Sequence, residues 1–465
     1  MTLHWNGREQ LSLARFLLRW LILTVPLGLL VGSAVALFLV SLDYVTQLRW
    51  DHPWLILLLP ACGVAVALLY QKVGQAAEAG NNLILDQIHR PGGGVPLRMA
   101  PLVLIGTLLT HLGGGSAGRE GTAVQMGGSL AAALGRVLRL GPADLRLLLM
   151  AGVAAGFGAV FGTPLAGAVF ALEVLAIGRL SYEALVPCLA AALIGDSVTS
   201  AWGIHHTDYY VTDWTQGQAA RPGIDWWLAG QVLLGACAFG GVSVLFAEVS
   251  HGLQQLTRTW IRWPLLRPLV GGTLVLLLIP VVGGTDYLGL GVTADPAHPD
   301  AVTIQSCFQA RGADWFSWWW KLVFTAVTVS SGFKGGEVTP LFFIGAALGN
   351  VTARLIGAPV DLFAALGFVA VFAGATHTPL ACTLMAIELF GLRNPGVMGA
   401  GFAVYAALAC FLAHFLNGHS GIYLSQQSRW SGFPGGGLVA SPTLRELRSA
   451  SPPASATSDE PAGNE

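Results

Sequence analysis

The stretch from His111 to Thr122 reads HLGGGSAGREGT and places five glycines and an acid inside a largely apolar chain. Glycine is unfavourable inside a helix, so we expect an extended segment that ends where a helix begins near Glu120. A helix N-terminus presents unpaired N–H groups and the positive end of the helix dipole, which suits an anion. The stretch therefore predicts an anion site made of backbone amides. The alternative is that Glu120 simply caps its own helix.

The same pattern occurs a second time. GGEVT at 335–339 matches GREGT at 118–122, and Glu337 lies 217 residues after Glu120. A Thr-Pro-Leu motif followed by an acid also occurs twice, leading to Glu173 and Glu388, which are 215 residues apart. Secondary transporters are often built from two repeats, with the substrate site between them near the bilayer midplane. We therefore expect the helix starts at Glu120 and Glu337 to converge there.

The composition indicates a membrane protein. Of 465 residues, 54% are hydrophobic and 11% are charged, and the mean hydropathy is +0.63. A soluble domain has roughly 25% charged residues. Apolar stretches of spanning length recur, several of them interrupted by Gly or Pro, and about 20 apolar residues cross a bilayer as a helix. The predicted fold class is an all-α polytopic membrane protein with two inverted-topology repeats of tilted and discontinuous helices.

Charge distribution predicts the organisation of the chain. Arg8, Arg15 and Arg19 precede the first apolar span, which places this end in the cytoplasm by the positive-inside rule. The linker between the repeats is acidic and is expected outside, as an odd number of spans per repeat requires. The protein is expected in the cell inner (plasma) membrane with both termini cytoplasmic. The predicted parts are an N-terminal cytoplasmic segment (1–22), a first membrane repeat (23–200), an extracytoplasmic linker (201–225), a second membrane repeat (226–428) and a cytoplasmic, largely disordered tail (429–465).

Several functional classes find no support in the sequence. The six cysteines are scattered singly without CxxC or Cys/His spacing, so they are interpreted as core residues, and we expect neither a metal nor a cofactor. No basic run indicates nucleic acid. A rival hypothesis is an intramembrane enzyme that uses Glu120, Glu337 or His111, but an HExxH motif is absent from the sequence. A structural role, bonding backbone or neighbouring helices, is predicted for Glu173, Glu388, Asp196, Glu248, Lys321 and His377.

Glu120 is predicted to gate the anion site. An ionised carboxylate at this position competes with an anion for the same helix starts, whereas a protonated one is held less strongly and swings away. Because the two states exclude each other, one residue would carry a proton and open the site. Ionisable groups inside a membrane are costly and are functional suspects by default. This arrangement predicts exchange of an anion for protons.

These residues resemble the CLC family of anion channels and anion/proton antiporters over essentially the whole chain outside the tail. The resemblance implies a CLC-like inverted-repeat bundle, a homodimer with one pore per subunit, and Glu120 as the gating glutamate. Tyr423 resembles the tyrosine that the last helix contributes to the central site, although an interfacial tyrosine fits the sequence equally well. The anion-binding residues that follow from the resemblance are Asn81, Gly118, Gly121, Val338, Thr339 and Tyr423.

Four departures from the common chloride pattern resemble the fluoride/proton antiporter branch of the family. Asn81 stands where chloride members have a serine, and Thr122 stands where they have a proline. Val338 replaces a phenylalanine, and Val174 replaces the inner proton glutamate of chloride antiporters. Fluoride is tightly hydrated, and an asparagine amide offers two N–H donors to replace its water. The alternative for Asn81 is a loop residue that binds its own backbone.

The predicted function is therefore a secondary active transporter in the lipid bilayer that exchanges fluoride for protons and exports fluoride. Glu120 would be the gate and proton carrier, with Glu337 as a second candidate for proton transfer. The nearest alternatives are a chloride/proton antiporter and a passive anion channel of the same family.

Overall fold

The computed structural model describes residues 7–90, 94–212, 214, 223–391, 401–428 and 442–450. Within these ranges the chain is almost entirely α-helical. The helices, labelled in chain order, are α1 Gly7–Asp51, α2 Leu59–Leu69, α3 Asn81–His89, α4 Met99–Leu112, α5 Glu120–Val137, α6 Pro142–Phe161, α7 Pro164–Glu173, α8 Leu185–Ala201, α9 Trp226–Trp260, α10 Leu266–Val282, α11 Ser317–Ser330, α12 Val338–Ile356, α13 Val360–Thr376, α14 Pro379–Ala386, α15 Phe402–Asn417 and α16 Leu444–Ala450.

Six helical stretches within the described ranges are long and apolar enough to cross a membrane. Other apolar helices have only 10–17 residues. At 1.5 Å per residue such a helix reaches about 15–25 Å, less than the bilayer core of about 30 Å. The prediction of discontinuous helices inside the membrane is confirmed. The six long stretches are Gln10–Asp51, Pro53–His89, Pro142–Phe161, Tyr182–Ala201, Trp226–Trp260 and Val338–Ile356.

The two repeats match helix by helix. Helices α4 to α8 correspond in order to α11 to α15, and the first residues of matched helices lie 215 to 218 residues apart. The crossings match as well. A Cβ on Gly127 would lie 2.1 Å from the Gly152 carbonyl oxygen between α5 and α6, and a Cβ on Gly345 would lie 2.1 Å from that of Gly367 between α12 and α13. Small residues let membrane helices approach this closely, so each repeat positions its site helix in the same way.

Glu173 and Glu388 tie the repeats together reciprocally. Glu388 accepts hydrogen bonds from the N–H groups of Leu165 and Ala166 at the start of α7, both 2.8 Å long. Glu173 accepts from Leu380 and Ala381 at the start of α14, at 3.1 and 2.9 Å. Each acid thus caps the helix start of the other repeat, which confirms the structural role predicted for both.

Two helices add detail to the sequence-based division. Helix α1 begins at Gly7, within the segment 1–22, and α16 lies within the tail 429–465. Leu444 of α16 is fully buried, and its N–H donates to the Gln426 carbonyl. Docking therefore orders this part of the tail, while the rest of it, 429–441 and 451–465, lies outside the described residues.

Candidate functional site

The starts of α5 and α12 meet across the repeat interface. Gly118 and Gly336 form an antiparallel bridge, in which each N–H donates to the other carbonyl oxygen at 2.5 and 2.7 Å. A Cβ on Gly121 would lie 3.1 Å from the Cα of Gly336. Glycine is therefore needed on both sides for the backbones to come this close. The predicted convergence of the two helix starts is confirmed.

The Glu120 carboxylate lies on the start of the opposite helix. The side chain is 1% exposed. The N–H of Thr339, the second residue of α12, donates to Oε2 at 3.0 Å, and the Thr339 hydroxyl lies 2.6 Å from both carboxylate oxygens. Glu120 therefore does more than cap α5, because its carboxylate is bound by the start of α12.

Arg119 completes the contacts of this carboxylate and was not singled out by the sequence. Its backbone N–H donates to Oε2 of Glu120 at 3.1 Å, and its Nε lies 3.7 Å from Oε1. Gly118 provides the space, because a Cβ there would lie 2.8 Å from Oε2 of Glu120 and 2.9 Å from the Thr339 N atom. The carboxylate is thus held by two backbone amides, a hydroxyl and a nearby guanidinium.

Asn81 begins α3 and faces the same helix start. Its Nδ2 lies 3.2 Å from the position that a Cβ on Gly121 would take. Among the described residues its side chain makes no hydrogen bond to its own backbone, and its Oδ1 is buried without a partner. The next residue has the tethering role, since Asn82 Oδ1 accepts from the N–H of Ser425 at 3.0 Å. The amide of Asn81 therefore remains available to a third group.

Tyr423 lies on a non-helical segment, residues 421–428, which we call the strap. The expectation that a last helix contributes this tyrosine is therefore wrong, because residue 423 does not lie in a helix. The strap has no helical bonding because its polar groups bind other elements: Ile422 N–H donates to Ala375 O, and Gln426 Nε2 donates to Val174 O and Thr376 O. Tyr423 is buried, and the carboxylates of Glu120 and Glu337 lie in its neighbourhood. The strap thus brings Tyr423 to the site.

Glu337 differs from its repeat partner. It immediately precedes Val338, the buried first residue of α12, and its side chain is half-buried. No hydrogen bond to the Glu337 carboxylate is found in the described part of the chain, whereas the Glu120 carboxylate accepts several. Two matched acids therefore have different environments: Glu120 is bound by a helix start, whereas Glu337 accepts no hydrogen bond among the described residues.

Thr122 has a packing partner that explains the threonine in GREGT. Its hydroxyl lies 2.7 Å from that of Thr107 on α4, in a fully buried position. Buried hydroxyls require such partners.

Lys321 has the structural role that was predicted for it, because its Nζ donates hydrogen bonds to the carbonyl oxygens of Tyr287 and Gly289.

Two cavities meet near Glu120. The first, which we call the linker-side vestibule, has a volume of about 820 Å³ and includes Arg49 and His205 among its lining residues. The second, which we call the gate chamber, has about 20 Å³ and contains Glu120 and Thr339. Phe342 lines the gate chamber and stacks on Phe368 at 4.0 Å between ring centroids. No sequence pattern indicates this chamber, because phenylalanines at helical spacing are also typical of a core.

A family model described as voltage gated chloride channel matches residues 62–417. The chain belongs to this CLC family. It is 48% identical over 419 residues to a chloride/fluoride channel protein of Pseudomonas syringae pv. tomato, covering 90% of this chain and 88% of the relative. CLC members are transporters and channels, so the expectation of a membrane transport protein that is not an enzyme is confirmed.

Solved CLC structures have the same fold. A CLC-type fluoride/proton antiporter superposes with a TM-score of 0.80 at 34% identity, covering 89% of this chain and 98% of that chain. A slow cyanobacterial Cl⁻/H⁺ antiporter superposes with a TM-score of 0.69 at 19% identity, covering 86% and 94%. The predicted CLC-like, all-α inverted-repeat fold is confirmed.

Proposed function

We propose that this CLC protein exchanges fluoride for protons and exports fluoride from the cell. The observation that carries the proposal is the Glu120 carboxylate seated on the start of α12. A negatively charged group already occupies the place where an anion would bind backbone amides. The proposal is supported by the fluoride/proton antiporter named among the similar structures and by the chloride/fluoride channel named among the relatives.

Glu120 acts as gate and proton carrier in this proposal. While ionised, its carboxylate accepts hydrogen bonds from the N–H and hydroxyl of Thr339 and excludes an anion. Protonation removes the charge, and bonds to a charged group are worth about 1.5–3 kcal/mol against about 0.5–1.5 for a neutral one. The neutral side chain therefore leaves, and fluoride takes the amides near Gly118, Gly121 and Val338.

The proton travels with Glu120. Val174 stands where the resemblance places the inner proton glutamate of chloride antiporters, and a valine carries no proton. Glu337 lies on the same helix start as Thr339, near Tyr423. We assign Glu337 a role in proton transfer once Glu120 has swung towards it.

Asn81 and Tyr423 select the cargo in this proposal. The Asn81 amide carries two N–H donors, has no backbone bond among the described residues and faces Gly121. A small, strongly hydrated anion needs such donors to replace its water. Chloride is the second candidate cargo, because the name of the Pseudomonas relative includes both ions.

The topology follows the positive-inside expectation. We propose an inner (plasma) membrane protein with both termini cytoplasmic and the linker 201–225 outside. The five parts of the chain keep their proposed bounds, 1–22, 23–200, 201–225, 226–428 and 429–465, except that α1 extends through most of the first. We further propose a homodimer in which each subunit has its own site.

Reconstituted liposomes test this function. The purified chain is placed in vesicles loaded with fluoride or with chloride, and anion release is recorded with an ion-selective electrode together with the outside pH. The proposal predicts faster fluoride than chloride release, with protons entering as fluoride leaves. Chloride release with coupled protons would favour the chloride antiporter, and release of either anion without proton movement would favour the channel.

A further inference from the structure

The linker-side vestibule and the gate chamber share a neck. Four residues line both cavities: Arg119, His206, Thr207 and Val292. Glu120 is 1% exposed and lines only the gate chamber. A proton that enters from the vestibule must therefore pass these neck residues before it reaches the Glu120 carboxylate.

Among the neck residues only one has a side chain suited to moving protons. Arginine stays charged at all relevant pH values, a threonine hydroxyl does not titrate, and valine is apolar. Histidine changes charge between pH 5 and 8, which is the property of a proton shuttle. The gate chamber of about 20 Å³ has room for roughly one water molecule. His206, one water and Glu120 would thus form a short line.

The fold holds the His206 ring at the neck. Gly162, the left-handed residue that ends α6, leaves room for it: a Cβ there would lie 2.5 Å from the ring Cδ2 atom. The Nε2 atom lies 3.9 Å from Oδ1 of Asp196 on α8, and the side chain is 8% exposed. The position of the ring is therefore fixed by two helices, although His206 itself belongs to the segment after α8.

The charges around His206 favour its protonation from the vestibule and its discharge towards Glu120. The carboxylate of Asp196 faces the ring from α8, and Glu120 lies in the same chamber. Arg119 at the neck opposes a second positive charge, which favours onward transfer of the proton. The remaining titratable neighbours are His205 and Asp208 on the segment of His206, and Glu388, which interacts electrostatically with Asp196.

We propose that His206 is a proton relay between the linker-side vestibule and Glu120, with Asp196 as its positioning residue. The vestibule protonates the imidazole. The imidazolium gives a proton to the water in the gate chamber, and that water gives another of its protons to the Glu120 carboxylate. His206 returns to its neutral form, Glu120 becomes neutral and leaves the start of α12, and one proton has moved inward. This inference rests on the proposed proton coupling.

His206→Gln in the full chain tests the relay, with His205→Gln as the matched control, because His205 lines the vestibule but not the gate chamber. Fluoride release from liposomes is measured at an outside pH of about 7.5 and of about 5.5, with and without imidazole. A positioned proton-transfer group accelerates a step by about 10²–10⁴-fold, so we expect at least about a tenfold slower rate at the higher pH. Acid and imidazole should each restore the rate, and the number of protons per fluoride should stay unchanged.

Two results would overturn the relay. One is equal fluoride release rates for His206→Gln and the wild type at both pH values. The other is a slow His206→Gln variant that neither acid nor imidazole restores, which would show that His206 only packs at this position. Asp196→Asn is the second variant and should give a smaller loss that is rescued in the same way. Wild-type protein that releases fluoride without protons would instead refute the proposed function itself. The two failures are therefore distinguishable in one set of vesicles.

Discussion

Gly118→Ala is the substitution whose effect on the gate can be worked out most directly from the structure. The added methyl carbon would lie 2.8 Å from Oε2 of Glu120 and 2.9 Å from both the N and Oγ1 atoms of Thr339. It would stand between the donors and the acceptor. The backbone at Gly118 does not have a positive φ, so alanine is compatible with the chain there, and the effect falls on the seated carboxylate.

The size of this effect follows from the bonds that must lengthen. The Thr339 N–H and hydroxyl contacts to Oε2 measure 3.0 and 2.6 Å. Bonds to a charged group are worth about 1.5–3 kcal/mol each. Losing one of these bonds should change the equilibrium between the bound and the released carboxylate about tenfold in favour of release, since each 1.4 kcal/mol is about a factor of ten. We expect fluoride to pass without displacing a proton, so that protons per fluoride fall by about this factor.

The assay is simultaneous recording of fluoride release and outside pH in liposomes. Gly230→Ala is the matched control, because a Cβ at Gly230 in α9 would meet nothing within 4 Å. The control should keep wild-type coupling. A Gly118→Ala protein that elutes as a folded species and keeps both the wild-type fluoride rate and the wild-type proton ratio would refute the proposed role of the seated carboxylate.

Three further predictions concern selectivity, stability and pH. Asn81→Ser should lower fluoride release relative to chloride release by about tenfold, the worth of one bond to an ion, and an unchanged ratio would remove Asn81 from the site. Glu173→Gln should lower the free energy of unfolding by about 1–2 kcal/mol, because its bonds to α14 lose their charge. As a control, Glu248→Gln, in the exposed pair with Arg448, should change the free energy of unfolding by less than about 1 kcal/mol. Equal shifts in Tm for the two variants would contradict a capping role for Glu173. Hydrogen bonds from Thr443 hold the pKa of Glu446 below its usual range, so this stabilisation of α16 is present at neutral pH and is lost as the pH falls through that lowered pKa. The hydrogen-exchange rate of the backbone amides of residues 444–450, corrected for the intrinsic rate, should therefore rise in acid in the wild type. In Glu446→Gln this acid-dependent rise should be absent.

The two helix starts of the site could be predicted from the sequence, because the residues that indicate them are neighbours in the chain. Four glycines shortly before Glu120 predict a helix start, and the matched motif at Glu337 predicts a second one. Both starts occur where expected, at Glu120 and Val338. The reciprocal capping by Glu173 and Glu388 was also within reach, because an acid at matched positions inside a membrane needs a partner.

Other features depend on contacts between residues far apart in the chain. The strap is non-helical because its N–H and amide groups bind elements from both repeats, as in the bond from Gln426 to Val174, 252 residues away. Helix α16 lies in a polar tail and gains its order by burying Leu444 against the strap. His206 stands beside the gate chamber because Gly162 makes room for its ring. No periodicity or motif in a single sequence encodes these placements.

Glu120→Gln in fluoride-loaded liposomes tests most directly whether Glu120 carries the proton. Glutamine cannot ionise or carry the proton, and it cannot hold the start of α12 as a charged group does. We expect that fluoride still leaves this variant while the outside pH stays constant. Glu388→Gln, which changes a buried acid with a capping role, should keep coupled proton uptake. Proton movement driven by a fluoride gradient in Glu120→Gln, at the wild-type ratio, would show that Glu120 is not the proton carrier.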